Sequence, residues 1–104
     1  MTNINFQTED RIFEWDSEKA KINKIKHGIS FKTATKVFDD ENRIERPDYK
    51  HSQDEERWQV IGKVGEVLFV VYTERGNITR IISAREADDK EREFYYGDGD
   101  LYFT

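Results

Sequence analysis

Cysteine is absent from this 104-residue chain. That excludes disulfide scaffolds, thiolate zinc sites and cysteine nucleophiles. Long apolar runs are absent too: the longest, Val67 to Tyr72, has six residues, against the ~20 that a membrane-crossing helix needs. No apolar stretch follows a basic start near the N-terminus, so no secretory signal is expected. A chain with neither feature is expected in the cytoplasm. Positive charge is in deficit, with 17 Lys and Arg against 22 Asp and Glu, a net charge of −5. Taken whole, that balance argues mildly against a dedicated nucleic-acid binder. A length of this size supports one domain and a modest core.

The charge is segregated. Ser17 to Lys36 holds six lysines and one acid, Glu18, whereas Glu86 to Asp100 holds seven acids against Lys90 and Arg92. A basic segment and an acidic end can meet different partners.

The apolar pattern predicts an α+β domain over residues 12–96, with loose ends at 1–11 and 97–104. Ile12-Phe13-Glu14-Trp15 alternates as a short strand. Asp16 or Ser17 can cap a helix over Lys19 to His27, with Ile22, Ile25 and Ile29 as its apolar stripe and Gly28 ending it. A second helix is expected from Ser30, with Phe31, Ala34, Val37 and Phe38 on one face. A short edge strand is expected near Ile44. Strands follow over Arg57 to Ile61, Val67 to Thr73 and Ile78 to Ser83, joined by turns at Gly62 to Gly65 and at Arg75-Gly76-Asn77. A last helix is expected over Ala84 to Tyr96. The order β-α-α-β-β-β-α implies an antiparallel meander of three to four strands with two N-terminal helices and one C-terminal helix.

Chemistry has few places to sit. There is no phosphate-binding glycine loop and no G-x-S-x-G elbow. The two histidines, His27 and His51, stand at a spacing that matches no common metal-ligand pattern, so no metal site is expected. What remains is a set of cations: Arg57, Arg75, Arg80, Arg85 and the Lys24-Lys26-His27 cluster. Arginine grips phosphate with two parallel N–H donors. A group of arginines suits RNA cleavage by the 2′-hydroxyl, which needs cations for the charge on phosphorus and modest acid–base help. An arginine in a strand is more often a solvated side chain or one half of an ion pair. Trp15, Trp58 and Tyr72 could be core residues or base-stacking platforms.

The opening carries Phe13-Glu14-Trp15-Asp16, Lys19, Asn23, Lys26-His27-Gly28-Ile29-Ser30-Phe31 and Val37-Phe38-Asp39-Asp40. The second half carries Glu56-Arg57, Gly62, Tyr72-Thr73-Glu74-Arg75, Arg80-Ile81-Ile82-Ser83-Ala84-Arg85 and Glu91-Arg92. Together these segments resemble the BrnT family of small bacterial toxins. The resemblance implies a RelE-like fold and metal-independent endoribonuclease activity that inhibits translation, with no cofactor. It also implies a DNA-binding antitoxin of ribbon-helix-helix type, usually encoded next door. Such an antitoxin covers the toxin, and operator DNA is met only through it. On motif position, Arg57, Arg80 and Arg85 are assigned to the scissile phosphate and His27 to acid or base catalysis. Lys26, Tyr72 and Arg75 are assigned to orienting RNA.

The last helix departs from the family pattern. It reads Glu86-Ala87-Asp88-Asp89-Lys90-Glu91-Arg92-Glu93 and keeps little basic character. Fewer phosphate contacts mean weaker RNA binding. The alternative reading is a non-catalytic or weakly active module that binds an antitoxin as corepressor.

Overall fold

The computed structural model describes residues 2–97. Its strands are β1 (Asn3–Gln7), β2 (Ile12–Asp16), β3 (Ile44–Pro47), β4 (Trp58–Val64), β5 (Glu66–Arg75) and β6 (Ile78–Glu86). Its helices are α1 (Ser17–His27), α2 (Phe31–Ala34), which runs on as a 3-10 turn over Thr35–Asp39, and α3 (Asp89–Tyr96). The strands form one sheet in the order β1-β2-β6-β5-β4-β3. β2 and β6 pair in parallel and the other neighbours are antiparallel.

This corrects the expected architecture. The α+β class holds, but the sheet has six strands and is mixed, so neither the three-to-four-strand meander nor the RelE-like order applies. The segment expected as a loose lead-in supplies β1. Only Ile4 and Phe6 of that polar strand turn inward, and Phe6 meets Trp15 at 6.1 Å between ring centroids. Two apolar positions carry little signal until β2 lies alongside. The expected tail at 97–104 lies outside the described residues, apart from Gly97, whose φ of 71° ends α3.

The main core lies between the sheet and the α1–α2 layer. Phe13, Phe31, Val37, Val60, Val70 and Ile81 are all buried there. Each such side chain contributes about 1.5–3 kcal/mol when removed from water. The hairpin expected over Gly62 to Gly65 is tighter than that. β4 runs through Gly62, and Gly65 alone turns the chain, at φ 74°. A Cβ on Gly62 would stand 3.0 Å from Cβ and the carbonyl oxygen of Val37, so glycine lets the turn after α2 press onto the strand.

Helix α1 is capped as expected. The Asp16 side chain accepts from the Glu18 amide, and Gly28 closes the helix at φ 76°. Its apolar stripe, however, faces outward: Ile22 is 55% exposed and Ile25 79%. The residue that packs inward is Asn23. Its Nδ2 donates to the carbonyls of Ala84 (2.8 Å) and Ile29 (3.1 Å), and its Oδ1 accepts from the Ala84 amide (3.1 Å). α2 already fills the apolar space over the sheet, and α1 sits at its margin through Ala20 and this polar clamp.

β6 carries a bulge opposite the Val71/Tyr72 step of β5. Tyr72 pairs with Ile81 and Val71 with Ser83, so Ile82 is the extra residue. Ile81 and Ala84 therefore both face the main core, three positions apart. The same shift returns Arg85 to the face that carries Arg80. Simple alternation puts those two arginines on opposite faces.

Candidate functional site

The face of the sheet away from α1 holds a smaller apolar cluster of Ile61, Val67, Phe69 and Ala87, with Tyr95 packed against it. α3 covers this end. It starts later than expected because β6 runs on to Glu86 before Asp88 caps the helix in a box with Glu91. The other end of the face lies under the 3-10 turn Tyr49–His51. Between the two is an open cleft of about 510 Å³. Val71, Ile82 and Ser83 line it, and its walls carry Arg46, Asp48, His51, Arg57, Arg85 and Glu91.

Asp48 and His51 form a polar pair on one wall of the cleft. The His51 Nδ1 lies 3.0 and 3.1 Å from the two carboxylate oxygens of Asp48. Asp48 is only 4% exposed, so the pair is anchored on its inner side, while the ring reaches solvent. A carboxylate at Nδ1 holds the proton there and leaves Nε2 as the nitrogen open to a ligand. The loop is tied down locally. The Ser52 hydroxyl donates to the Asp48 carbonyl and accepts from the Arg57 amide, and the Asp48 amide donates to the Arg57 carbonyl.

The three arginines differ in how far they are engaged. Arg46 Nε donates to Gln59 at 2.7 Å, and its guanidinium lies 5.1 Å from the Phe94 ring centre. Arg85 makes a two-pronged pair with Glu91 at 2.8 and 2.9 Å, over the Phe69 ring at 4.2 Å. Donating to the Glu91 carboxylate holds the Arg85 guanidinium even more firmly charged than usual, against the opposing effect of burial. Arg57 lines the cleft, and no hydrogen bond from its guanidinium is present among the described residues. His51 and Arg57 also border a smaller adjoining hollow of about 190 Å³.

The structure thus brings together two of the three phosphate candidates, Arg57 and Arg85. Arg80 shares their sheet face but lies beyond the cleft wall, bound to Glu14 at 2.9 Å and Asn3 at 2.7 Å. His27 and Lys26 are elsewhere: α1 packs on the opposite side of the sheet, so neither can reach the cleft. Tyr72 is a core residue, 3% exposed, with its hydroxyl donated to Glu45 at 2.6 Å. Burial, and then that bond, push its phenol well above the usual range. Arg75 is exposed and paired to Glu55 at 3.1 Å, and this bond pulls the Glu55 carboxyl below its ordinary range. Among the described residues no three His, Cys, Asp or Glu side chains come together as a metal site.

Asp48, His51 and Arg46 were not singled out from sequence. The signal available was the D-x-x-H spacing, which places a carboxylate and an imidazole one turn apart. The nearby Tyr49 is the aromatic most open to solvent among the described residues, at 84%.

A cleft with arginine walls and a carboxylate-backed histidine, on a small α+β frame, is equipped to meet a phosphodiester. The family model for "Ribonuclease toxin, BrnT, of type II toxin-antitoxin system" matches residues 15–91. The chain belongs to the BrnT family. Among solved structures it is similar to the ribonuclease toxin BrnT of Brucella abortus. That likeness covers 72% of this chain and 94% of the other, at 24% identity and a TM-score of 0.57, and it shows the fold. No curated protein matches the chain.

Proposed function

We propose that this protein is a toxin that cuts RNA without a metal ion and inhibits translation in the cytoplasm, with the cleft as its site. The observation that carries this reading is the Asp48–His51 pair set beside the unengaged guanidinium of Arg57. In the proposed reaction, His51 Nε2 takes the proton from an RNA 2′-hydroxyl. The 2′-oxygen then bonds to phosphorus and the bond from phosphorus to the 5′-oxygen breaks, with solvent protonating the leaving oxygen. The products are a 2′,3′-cyclic phosphate and a 5′-hydroxyl end. Arg57 stabilises the extra charge on phosphorus, helped by Arg85 when phosphate displaces Glu91. Tyr49, beside the pair, offers a ring for an unstacked base. The toxin domain, expected over residues 12–96, also takes in β1, which pairs with β2 in the same sheet; we take its partner to be a ribbon-helix-helix antitoxin that alone contacts operator DNA.

One observation favours the second reading, a weakly active module kept for its antitoxin. Arg80 and Arg85 are both committed to carboxylates, Glu14 and Glu91. The deciding experiment is cleavage of end-labelled RNA by the antitoxin-free chain in EDTA, beside Arg57→Ala and His51→Ala. Cleavage by the wild type and a large loss in both variants supports the enzyme. A folded wild type that cuts neither free RNA nor ribosome-bound message supports the module.

A further inference from the structure

We infer that the outer face of α1 is the docking surface for the antitoxin, and that it takes an acidic segment carrying aliphatic side chains. This rests on the toxin–antitoxin reading of the family but not on the cleft. Ile22 and Ile25 stand one turn apart on α1 and are its two large exposed apolar side chains. On an 11-residue helix this is the reverse of the usual arrangement, in which the apolar stripe is buried. Helical geometry puts Lys21 on one side of the two isoleucines and Lys19 and Lys26 on the other. None of these lysines, nor Lys24, is in an ion pair among the described residues. Glu18, one turn before Ile22, is the one acid on this face and sits at its N-terminal end; beyond it, two isoleucines flanked by unpaired lysines complement a strand or helix with aliphatic side chains between carboxylates.

The details favour protein over RNA. α1 carries no arginine, and its one ring, His27, lies on the far side of the helix from Ile22 and Ile25, so this face lacks both the forked phosphate donor and the stacking surface that RNA readers use. Two aliphatic side chains find no counterpart on a phosphate backbone. α1 also lies across the sheet from the cleft, so this docking would leave the cleft open.

The test uses the protein encoded beside this chain's gene as the probe and measures its Kd for three forms of the full chain. These are the wild type, Ile22→Asp/Ile25→Asp, and the cleft variant His51→Ala/Arg57→Ala. Both isoleucines are exposed, so the α1 variant keeps its core, and circular dichroism and thermal melting check that it does. The expected result is a loss of 100-fold or more in the α1 variant with little change in the cleft variant. Lys21→Glu/Lys26→Glu should also slow association and flatten its salt dependence. Loss in the cleft variant alone would overturn the inference and leave the family reading intact, because the antitoxin would then plug the cleft. A self-associated chain made monomeric by Ile22→Asp/Ile25→Asp, seen by sedimentation, would overturn it in favour of a second copy, whose acidic α3 exposes Phe94 and Tyr96. Loss of RNA binding in the α1 variant, with antitoxin binding unchanged, would overturn it in favour of RNA. If the neighbouring protein binds no form of the chain, the toxin–antitoxin reading falls first and this inference with it.

Discussion

Asn23 holds Ala84 by both of its backbone groups, donating to the carbonyl and accepting from the amide. The side chain thus acts as a neighbouring strand for one residue of β6, just past the bulge and just before Arg85. Without it, a buried amide and a buried carbonyl would have no partner. We expect Asn23→Ala to destabilise the fold by about 2–3 kcal/mol, since each stranded buried group carries its own desolvation cost. Urea unfolding measures this. A loss no larger than that of an exposed control such as Lys24→Ala would show that the clamp contributes nothing.

The two histidines give a sharp contrast. His51 is backed by a buried carboxylate inside the cleft, and His27 ends α1 on the other side of the sheet. A general base typically contributes two to four orders of magnitude to rate. Accordingly, His51→Ala should slow single-turnover RNA cleavage roughly 100-fold or more, while His27→Ala leaves the rate unchanged. Equal losses in both variants would move the site away from the cleft.

Glu91 holds the Arg85 guanidinium that the proposed mechanism turns toward phosphate. It is also part of the α3 cap, accepting from the Asp88 amide at 2.8 Å. Gln can keep the capping bond while giving up the charge. Glu91→Gln should therefore tighten binding of a single-stranded oligonucleotide that cannot be cut. One added phosphate contact should steepen the log–log salt slope by about 0.7. Fluorescence anisotropy across a salt series reads both quantities, and an unchanged slope would mean that Arg85 makes no phosphate contact.

Much of this was legible in the sequence and some was not, for identifiable reasons. The cap at Asp16, the glycine end at Gly28 and the buried β5 strand follow from local chemistry, and all three are present. β1 escaped notice because its inward residues number only two and its partner is distant in the chain. The α1 stripe misled because periodicity finds a face without saying which way it turns; a buried asparagine settled that. The arginine cluster was half legible. Arg57 and Arg85 line one cleft, but Arg85 faces it only because of the bulge at Ile82, and a bulge leaves no mark in a pattern of alternating residues. His51 was discounted once it failed as a metal ligand. The role proposed for it depends on Asp48 being buried, which is a property of the folded loop.

Asp40 ties three parts of the fold together, and its protonation gives a prediction in pH. Its carboxylate accepts from the Lys63 amide of β4 at 2.7 Å, from the Asn42 amide at 2.9 Å, and from the Tyr95 hydroxyl of α3. Partial burial raises the Asp40 carboxyl, but the hydrogen bonds from Tyr95, Lys63 and Asn42 outweigh it and leave the group below its ordinary value of 3.8. On the other side of the bond, burial and then Asp40 push the Tyr95 phenol up to about 12. A carboxyl lowered by folding adds stability above its unfolded value and loses it as pH falls through the folded one. The stability difference between wild type and Asp40→Asn should therefore hold steady from about pH 7 to pH 5 and shrink below about pH 4. The Tyr95 contribution behaves oppositely, persisting through neutral pH and fading only as pH rises through about 12. Urea unfolding of both proteins from neutral pH down to pH ~3 tests the acid limb. A difference that stays constant across that range would show that Asp40 keeps the same charge in the folded and unfolded chain, and that its three hydrogen bonds do not favour the carboxylate.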